Sequence, residues 1–154
     1  MKNVNQIKLS LNQLDKKLEL FRSIQVEIQP DGWINNIRTS LNMSLRQLAK
    51  RLKITPQGVR QLELREKDGT ITLKSLKEAG LALGMQLVYG FMPKEGSLEK
   101  MIEKRAYEIA KEIVMRTSHS MKLEDQENSK ERIENAIKER AEEIKNEIPS
   151  YLWD

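Results

Sequence analysis

Apolar residues recur at alternating spacings of four and three near the start of the chain, at Ile7, Leu11, Leu14, Leu18 and Phe21. That seam predicts a helical arm over residues 1–29, and two heptads are too few for a coiled coil, so the helix is expected to pack on its own domain. Two further stripes mark the other end. Leu98, Met101, Ile102, Ala106, Ile109, Ala110 and Ile113 form one, with Ser97 placed to cap it. Ile133, Ala136, Ile137, Ala141, Ile144 and Ile148 form the second, which Pro149 ends. The run Thr117-Ser118-His119-Ser120 reads as a break between them, with His119 in a loop. Between the centre and this arm, Met85–Met92 (MQLVYGFM) has the composition of one short β-strand. A lone strand needs a partner for its backbone groups, and the strand of a second subunit is the candidate, because the chain offers no convincing internal one.

Glycine and proline divide the sequence. All seven glycines and three of the four prolines lie between Pro30 and Gly96. The expected organisation is therefore an N-terminal helical arm (1–29), a compact centre (30–84), a strand or linker (85–93) and a C-terminal helical region (94–154) for dimerisation or partner binding. The fold class is all-α in the main.

The centre reads as four or five short helices. Asp31 is placed to cap the first, which contains Trp33, Ile34 and Ile37, with Trp33 in the core. Ser44 and Gln47 have capping-box spacing and open a helix through Leu52. Thr55 caps the next, with Pro56 at its first position and an end near Glu63. Two short helices joined so closely cross steeply and need particular apolar positions. Leu48 and Leu52 must point inward from the first, Ile54 from the turn and Val59 and Leu62 from the second. Ala49 lets the backbones approach. This is a helix-turn-helix arrangement, whose second helix enters the DNA major groove.

Composition narrows the chemistry. With no cysteine and one histidine among 154 residues, a disulfide framework, a thiol nucleophile and a multi-histidine metal site are excluded. No phosphate-binding GxxxxGK or nucleophile elbow occurs, so neither an enzyme nor a cofactor is expected. The longest uncharged run, Ala79–Pro93, is too short for a membrane span, and no apolar leader is evident, giving an expected cytoplasmic location. The net charge is +4, and residues 31–66 hold seven basic groups against three acidic ones, whereas residues 67–154 hold 15 against 17. Such asymmetry points to a polyanion partner.

Met43-Ser44, Gln47-Leu48-Ala49, Arg51-Leu52, Ile54, Val59 and Leu62-Glu63 together resemble the lambda-repressor-like, or Xre, helix-turn-helix family. Gly32-Trp33-Ile34, Ile37-Arg38, Thr70-Ile71-Thr72-Leu73, Ala82-Leu83-Gly84, Leu87-Val88-Tyr89 and Met121-Lys122-Leu123-Glu124-Asp125-Gln126 extend the resemblance to the mobile mystery protein A group. Membership would imply a DNA-binding regulator encoded beside a Fic-domain protein, in what looks like a toxin–antitoxin pair. Two residues depart from the family pattern. Lys53 stands where glycine is usual, at a position that often takes a left-handed backbone, at a cost of about 1 kcal/mol. Gly58 inside the second helix costs roughly 1 kcal/mol relative to alanine and could serve a close approach to the preceding helix or to a phosphate.

The expected partner is double-stranded DNA carrying an inverted repeat, read by a homodimer. With Val59 and Leu62 inward, Gln57, Arg60 and Gln61 face outward. Gln57 and Gln61, four apart, share one face and suit paired hydrogen bonds to adenine, and Thr55 and Pro56 sit at the exposed tip. These four are the candidate base contacts. Ser44, Arg46, Lys50, Arg51, Arg60 and Arg65 are the candidate phosphate contacts. Arg38 or Arg51 could instead form an internal salt bridge, with Glu63 as an available partner. The competing function is a protein-binding module that grips a toxin through the C-terminal stripes and keeps the helix-turn-helix as a scaffold.

Overall fold

A computed structural model of the protein describes residues 3–24, 29–123 and 130–154, and for 120–123 the backbone alone. Glu124, Asp125 and Gln126, which carry part of the family resemblance, lie outside the described residues. The described chain is all-helical, with α1 (Val4–Arg22), α2 (Trp33–Ser40), α3 (Leu45–Leu52), α4 (Pro56–Lys67), α5 (Leu73–Ala82), α6 (Leu98–Leu123), α7 (Lys130–Glu147) and a closing 3-10 turn, Ser150–Trp153. It divides into two compact units, residues 25–89 and the two chain ends taken together (1–24 with 90–154). The N- and C-terminal arms thus belong to one body.

Residues 25–89 hold α2 to α5 around Ile34, Leu48, Ala49, Val59, Ala79 and Leu83, with Ile37, Met43, Leu52 and Leu76 packed at the edges. Local chemistry sets the helix starts. The Ser44 hydroxyl accepts from the Gln47 N–H at 3.2 Å while the Gln47 side chain accepts from the Ser44 N–H at 2.7 Å, closing the expected capping box. Thr55 accepts from the Gly58 N–H at 3.0 Å, with Pro56 at the first turn. Lys53 has φ 56° and ψ 39°, the left-handed conformation anticipated for its position. The Ile54 N–H then donates back to the Ala49 carbonyl at 3.0 Å, as in a Schellman turn.

α2 departs from expectation. Its N-cap is Gly32, which supplies no side chain, and Asp31 pairs with Lys67 at 2.9 Å. The cap comes from the end of α4, where the Glu66 carboxylate accepts from the Trp33 N–H at 2.8 Å and from the Ile34 N–H at 2.9 Å. This satisfies two orphan donors and places a negative charge at the positive end of the helix. Held there by its backbone, Trp33 leaves 47% of its surface exposed and is not a core residue. Ile54 is likewise exposed. It lies over Gly58, where an added Cβ would come to 3.3 Å from Ile54 Cδ1 and from Thr55 Oγ1, tight contacts within the turn itself. α4 runs one turn past Glu63, to Lys67.

The unit of the chain ends pairs α6 with α7 and sets α1 against α6. Its core is Ile102, Ala106, Ala110, Ile137, Ile144 and Leu152, flanked by Leu11, Ile109, Ile133 and Ala141. The two stripes read from the sequence therefore pack largely on each other, with Ile113 left exposed, and α1 packs within its own unit as expected. Asp15 caps α6, accepting from the Leu98 N–H at 2.8 Å and the Glu99 N–H at 3.2 Å, while Ser97 accepts from the Lys100 N–H at 3.1 Å. The expected break at Thr117–Ser120 does not occur. α6 continues through it, with the Thr117 hydroxyl donating to the Ile113 carbonyl at 3.0 Å and Ser118 buried, so the hydroxyls are accommodated without ending the helix. His119 is an exposed helical residue rather than a loop residue.

The expected strand is also absent from the described residues. Met85–Pro93 runs without helix, turn, bend or sheet pairing among the described residues.

Candidate nucleic-acid interface

The packing of α3 and α4 fixes which side chains look outward. Leu48 and Ala49 are buried from α3, and Val59, Leu62 and Glu63 from α4. Helical periodicity then leaves Arg46, Lys50 and Arg51 exposed on the first helix and Gln57, Arg60, Gln61 and Arg65 exposed on the second, with Ser44, Thr55 and Pro56 exposed at the two starts. All ten residues picked out from the sequence are at the surface of residues 25–89.

Their hydrogen-bonding capacity differs. The side chains of Gln57 and Gln61 make no hydrogen bond among the described residues, and Arg46, Lys50, Arg60 and Arg65 have neither ion pair nor side-chain hydrogen bond. Ser44 and Thr55 already accept from their own helices, which leaves each hydroxyl proton free to be donated. Arg51 is partly committed, since its Nη1 donates to the Ala82 carbonyl at 3.1 Å, at the end of α5.

Glu63 takes Arg38 and not Arg51. Arg38 Nε donates to Glu63 Oε1 at 2.6 Å and its Nη1 donates to the Met43 carbonyl at 2.9 Å, with both charged side chains about nine-tenths buried. Asn35 donates to the other carboxylate oxygen at 3.0 Å. This network ties α2 to α4 from behind the exposed face.

The electrostatic pattern follows from these bonds. No acidic residue occurs from Gly32 to Leu62. The three carboxylates of residues 31–66 all turn onto the chain itself: Asp31 to Lys67, Glu63 to Arg38, and Glu66 to the start of α2. Among the described residues, Arg46, Lys50, Arg51, Arg60 and Arg65 of α3 and α4 are left without an anionic partner, and only Lys67 at the end of α4 has one. Hydrogen bonding to Asp31 holds the Lys67 ammonium above the usual lysine range, so it too is charged at neutral pH. Glu78 of α5 lines a groove together with Gln61 and Arg65, which puts one carboxylate at the border of this face.

Sequence reasoning missed two exposed residues here. Leu64 is 44% exposed and lies seven positions after Gln57 on the same helical face, where it extends the surface of Gln57 and Gln61 by a turn. The spacing could have revealed it. Lys53, in the left-handed turn between the helices, is exposed as well. Among the described residues no group of acidic or histidine side chains could hold a metal ion, and no helix is long and apolar enough to cross a membrane. No family model, curated protein or solved structure matches the chain.

Proposed function

We propose that the chain is a sequence-specific double-stranded DNA-binding regulator that acts as a homodimer on an inverted repeat and represses its own promoter. The observation that carries this reading is the outward face of α3 and α4. Two unbonded glutamines four residues apart stand among four unpaired cations, with every carboxylate of residues 31–66 turned away. In this reading α3, the left-handed Lys53 turn and α4 form a helix-turn-helix of lambda-repressor-like type, and α4 enters the major groove. Gln57 and Gln61 read base edges, Thr55 and Pro56 meet the groove at the helix tip, and Pro56, lacking an N–H, offers an apolar contact to a thymine methyl. Ser44, Arg46, Lys50, Arg60 and Arg65 hold phosphates, and Arg51 joins them through the donors that Ala82 does not use.

The resemblance noted in the sequence adds a partner: a Fic-domain toxin neutralised by this protein as its antitoxin. A module that uses the helix-turn-helix only as a scaffold and grips the toxin through the C-terminal stripes has less support, because those stripes are largely buried between α6 and α7. Fluorescence anisotropy on DNA from upstream of its own coding sequence tests the regulatory reading. Affinity is expected to fall with salt at a slope near −0.9 per phosphate contact and to exceed that for scrambled DNA by about 10³-fold or more. Equal, salt-indifferent binding to both would refute it. Co-purification with the product of the neighbouring gene tests the antitoxin role.

A further inference from the structure

We propose that the unit of the chain ends carries a binding site for a small aliphatic α-amino acid in a cavity between α1, α6 and α7. The site lies wholly within that unit and does not rest on the DNA-binding reading. Its volume is about 240 Å³, below the roughly 300–1,000 Å³ of pockets that hold drug-sized ligands, so a small molecule fits it.

Helical spacing assembles the walls. α1 supplies Lys8, Leu11 and Asn12, which share one face. α6 supplies Glu99 and Ile102, three positions apart, and α7 and its end supply Glu142, Lys145, Asn146 and Ile148. Ile102 belongs to the core of this unit, and Leu11 and Ile148 pack against that core. The three form an apolar floor held in place by packing, with two cations and two carboxylates around it.

The charges are held in two different ways. Lys145 is drawn to α6, where it bonds Glu103 and lies 3.8 Å from Glu99. Lys8 and Glu142 are instead joined through one amide. Lys8 Nζ donates to Asn146 Oδ1 at 3.2 Å, and Asn146 Nδ2 donates to Glu142 Oε1 at 3.4 Å. The amide engages one of the three ammonium donors and one of the two carboxylate oxygens, and it keeps the two charges apart. An ammonium and a carboxylate set apart over an apolar floor match, sign for sign, the carboxylate and ammonium of an amino acid whose side chain covers the floor. A ligand of one sign would meet a like charge at the other end. An uncharged apolar ligand would take water from both charged groups and give nothing in return.

The backbone adds an independent observation. Ile148 has φ 44°, a left-handed conformation that is a genuine outlier for a β-branched residue, where glycine would end the helix without strain. Its N–H still donates to the Ile144 carbonyl at 2.9 Å. At this cost the chain keeps a branched side chain on the cavity wall, and backbone strain of this kind gathers at ligand-binding positions.

Isothermal titration of the full chain with L-leucine and L-valine tests the proposal, with the N-acetyl and amide forms of each as probes that lack the ammonium or the carboxylate. At least one free amino acid is expected to bind saturably, and both of its blocked forms to bind about tenfold more weakly or worse. Lys8→Met and Glu142→Gln should each weaken binding by about tenfold or more, with circular dichroism unchanged. Hydrogen exchange should slow on binding in α1 around Lys8 and in the last turns of α7. No saturable binding up to about 10 mM, equal binding of free and blocked forms, wild-type affinity in either variant, or protection elsewhere alone would overturn it. The blocked ligands act on the wild-type chain, so the test holds even if a variant fails to fold.

Discussion

Residues 25–89 and the unit built from the chain ends dispose of their charges in opposite ways. In the unit of the chain ends, carboxylates and cations alternate on exposed faces, as in Lys104–Glu95 at 2.8 Å, Lys138–Glu134 at 3.3 Å and Arg140–Glu143 at 2.6 Å, and Lys145 bonds Glu103. Such a surface cancels its own field within a few ångströms. In residues 25–89 the carboxylates of positions 31–66 turn onto the chain, and Arg46, Lys50, Arg60 and Arg65 have no ion-pair partner among the described residues. An uncancelled patch of one sign attracts a polyanion from a distance and an interlaced one does not. The contrast lies in where acids are spent as well as in how many there are.

The two units share one device, a carboxylate that caps the start of a distant helix. Glu66 does this for α2 and Asp15 for α6. In residues 25–89 it stands beside a second commitment, the buried Arg38–Glu63 pair, and that is where the two regions are most easily separated by mutation.

The largest effect is expected at this pair. Glu63→Ala strands a buried guanidinium and should lower unfolding stability by about 3–5 kcal/mol in urea titrations, whereas Arg38→Met combined with Glu63→Leu should recover most of the loss. Core truncations come next and sharpen the comparison, since the two clusters share no residue. Leu48→Ala should cost about 2–5 kcal/mol and strip amide protection from α3 and α4, with α6 and α7 retaining theirs in hydrogen exchange. Ile144→Ala should do the reverse and leave α3 and α4 protected. The shared caps follow: Glu66→Ala and Asp15→Ala should each cost about 1 kcal/mol by denaturant unfolding. If only one of the two matters, the device is not equivalent in the two units.

The smallest effect is expected at the exposed Asp31–Lys67 pair. Asp31→Asn should give no resolvable change in Tm near neutral pH. The sign of any contribution is fixed by the raised Lys67 value. It is present while the lysine is protonated in both states and is lost as pH rises through the folded-state value, so any difference from wild type should shrink in alkali.

Features governed by neighbouring residues were legible in the sequence. The Ser44–Gln47 capping box, Thr55 with Pro56, the left-handed turn at Lys53 and the inward set Leu48, Val59 and Leu62 all depend on contacts within a few positions. The outward face of α4 followed from that set, because inward residues on a helix determine the outward ones. What failed depended on distant partners. Asp31 has the right type and place for a cap, yet Glu66 arrives from 32–33 residues away and does the work. Trp33 reads as core by composition, but its backbone is anchored at an exposed helix start. Thr117–Ser120 reads as a break because hydroxyl residues compete for backbone bonds, and here Thr117 bonds within the helix. Met85–Met92 has strand composition, and composition cannot supply a neighbouring strand.

The central claim, that the exposed face of α4 reads DNA sequence while the surrounding cations hold phosphates, is most directly tested by competition of operator against scrambled DNA across a salt series. Gln57→Ala and Gln61→Ala should each lower discrimination by about 5- to 150-fold and keep the wild-type salt slope. Arg60→Ala should weaken binding to both DNAs alike and reduce the slope by about 0.9. Glutamine variants that retain wild-type discrimination would contradict the claim.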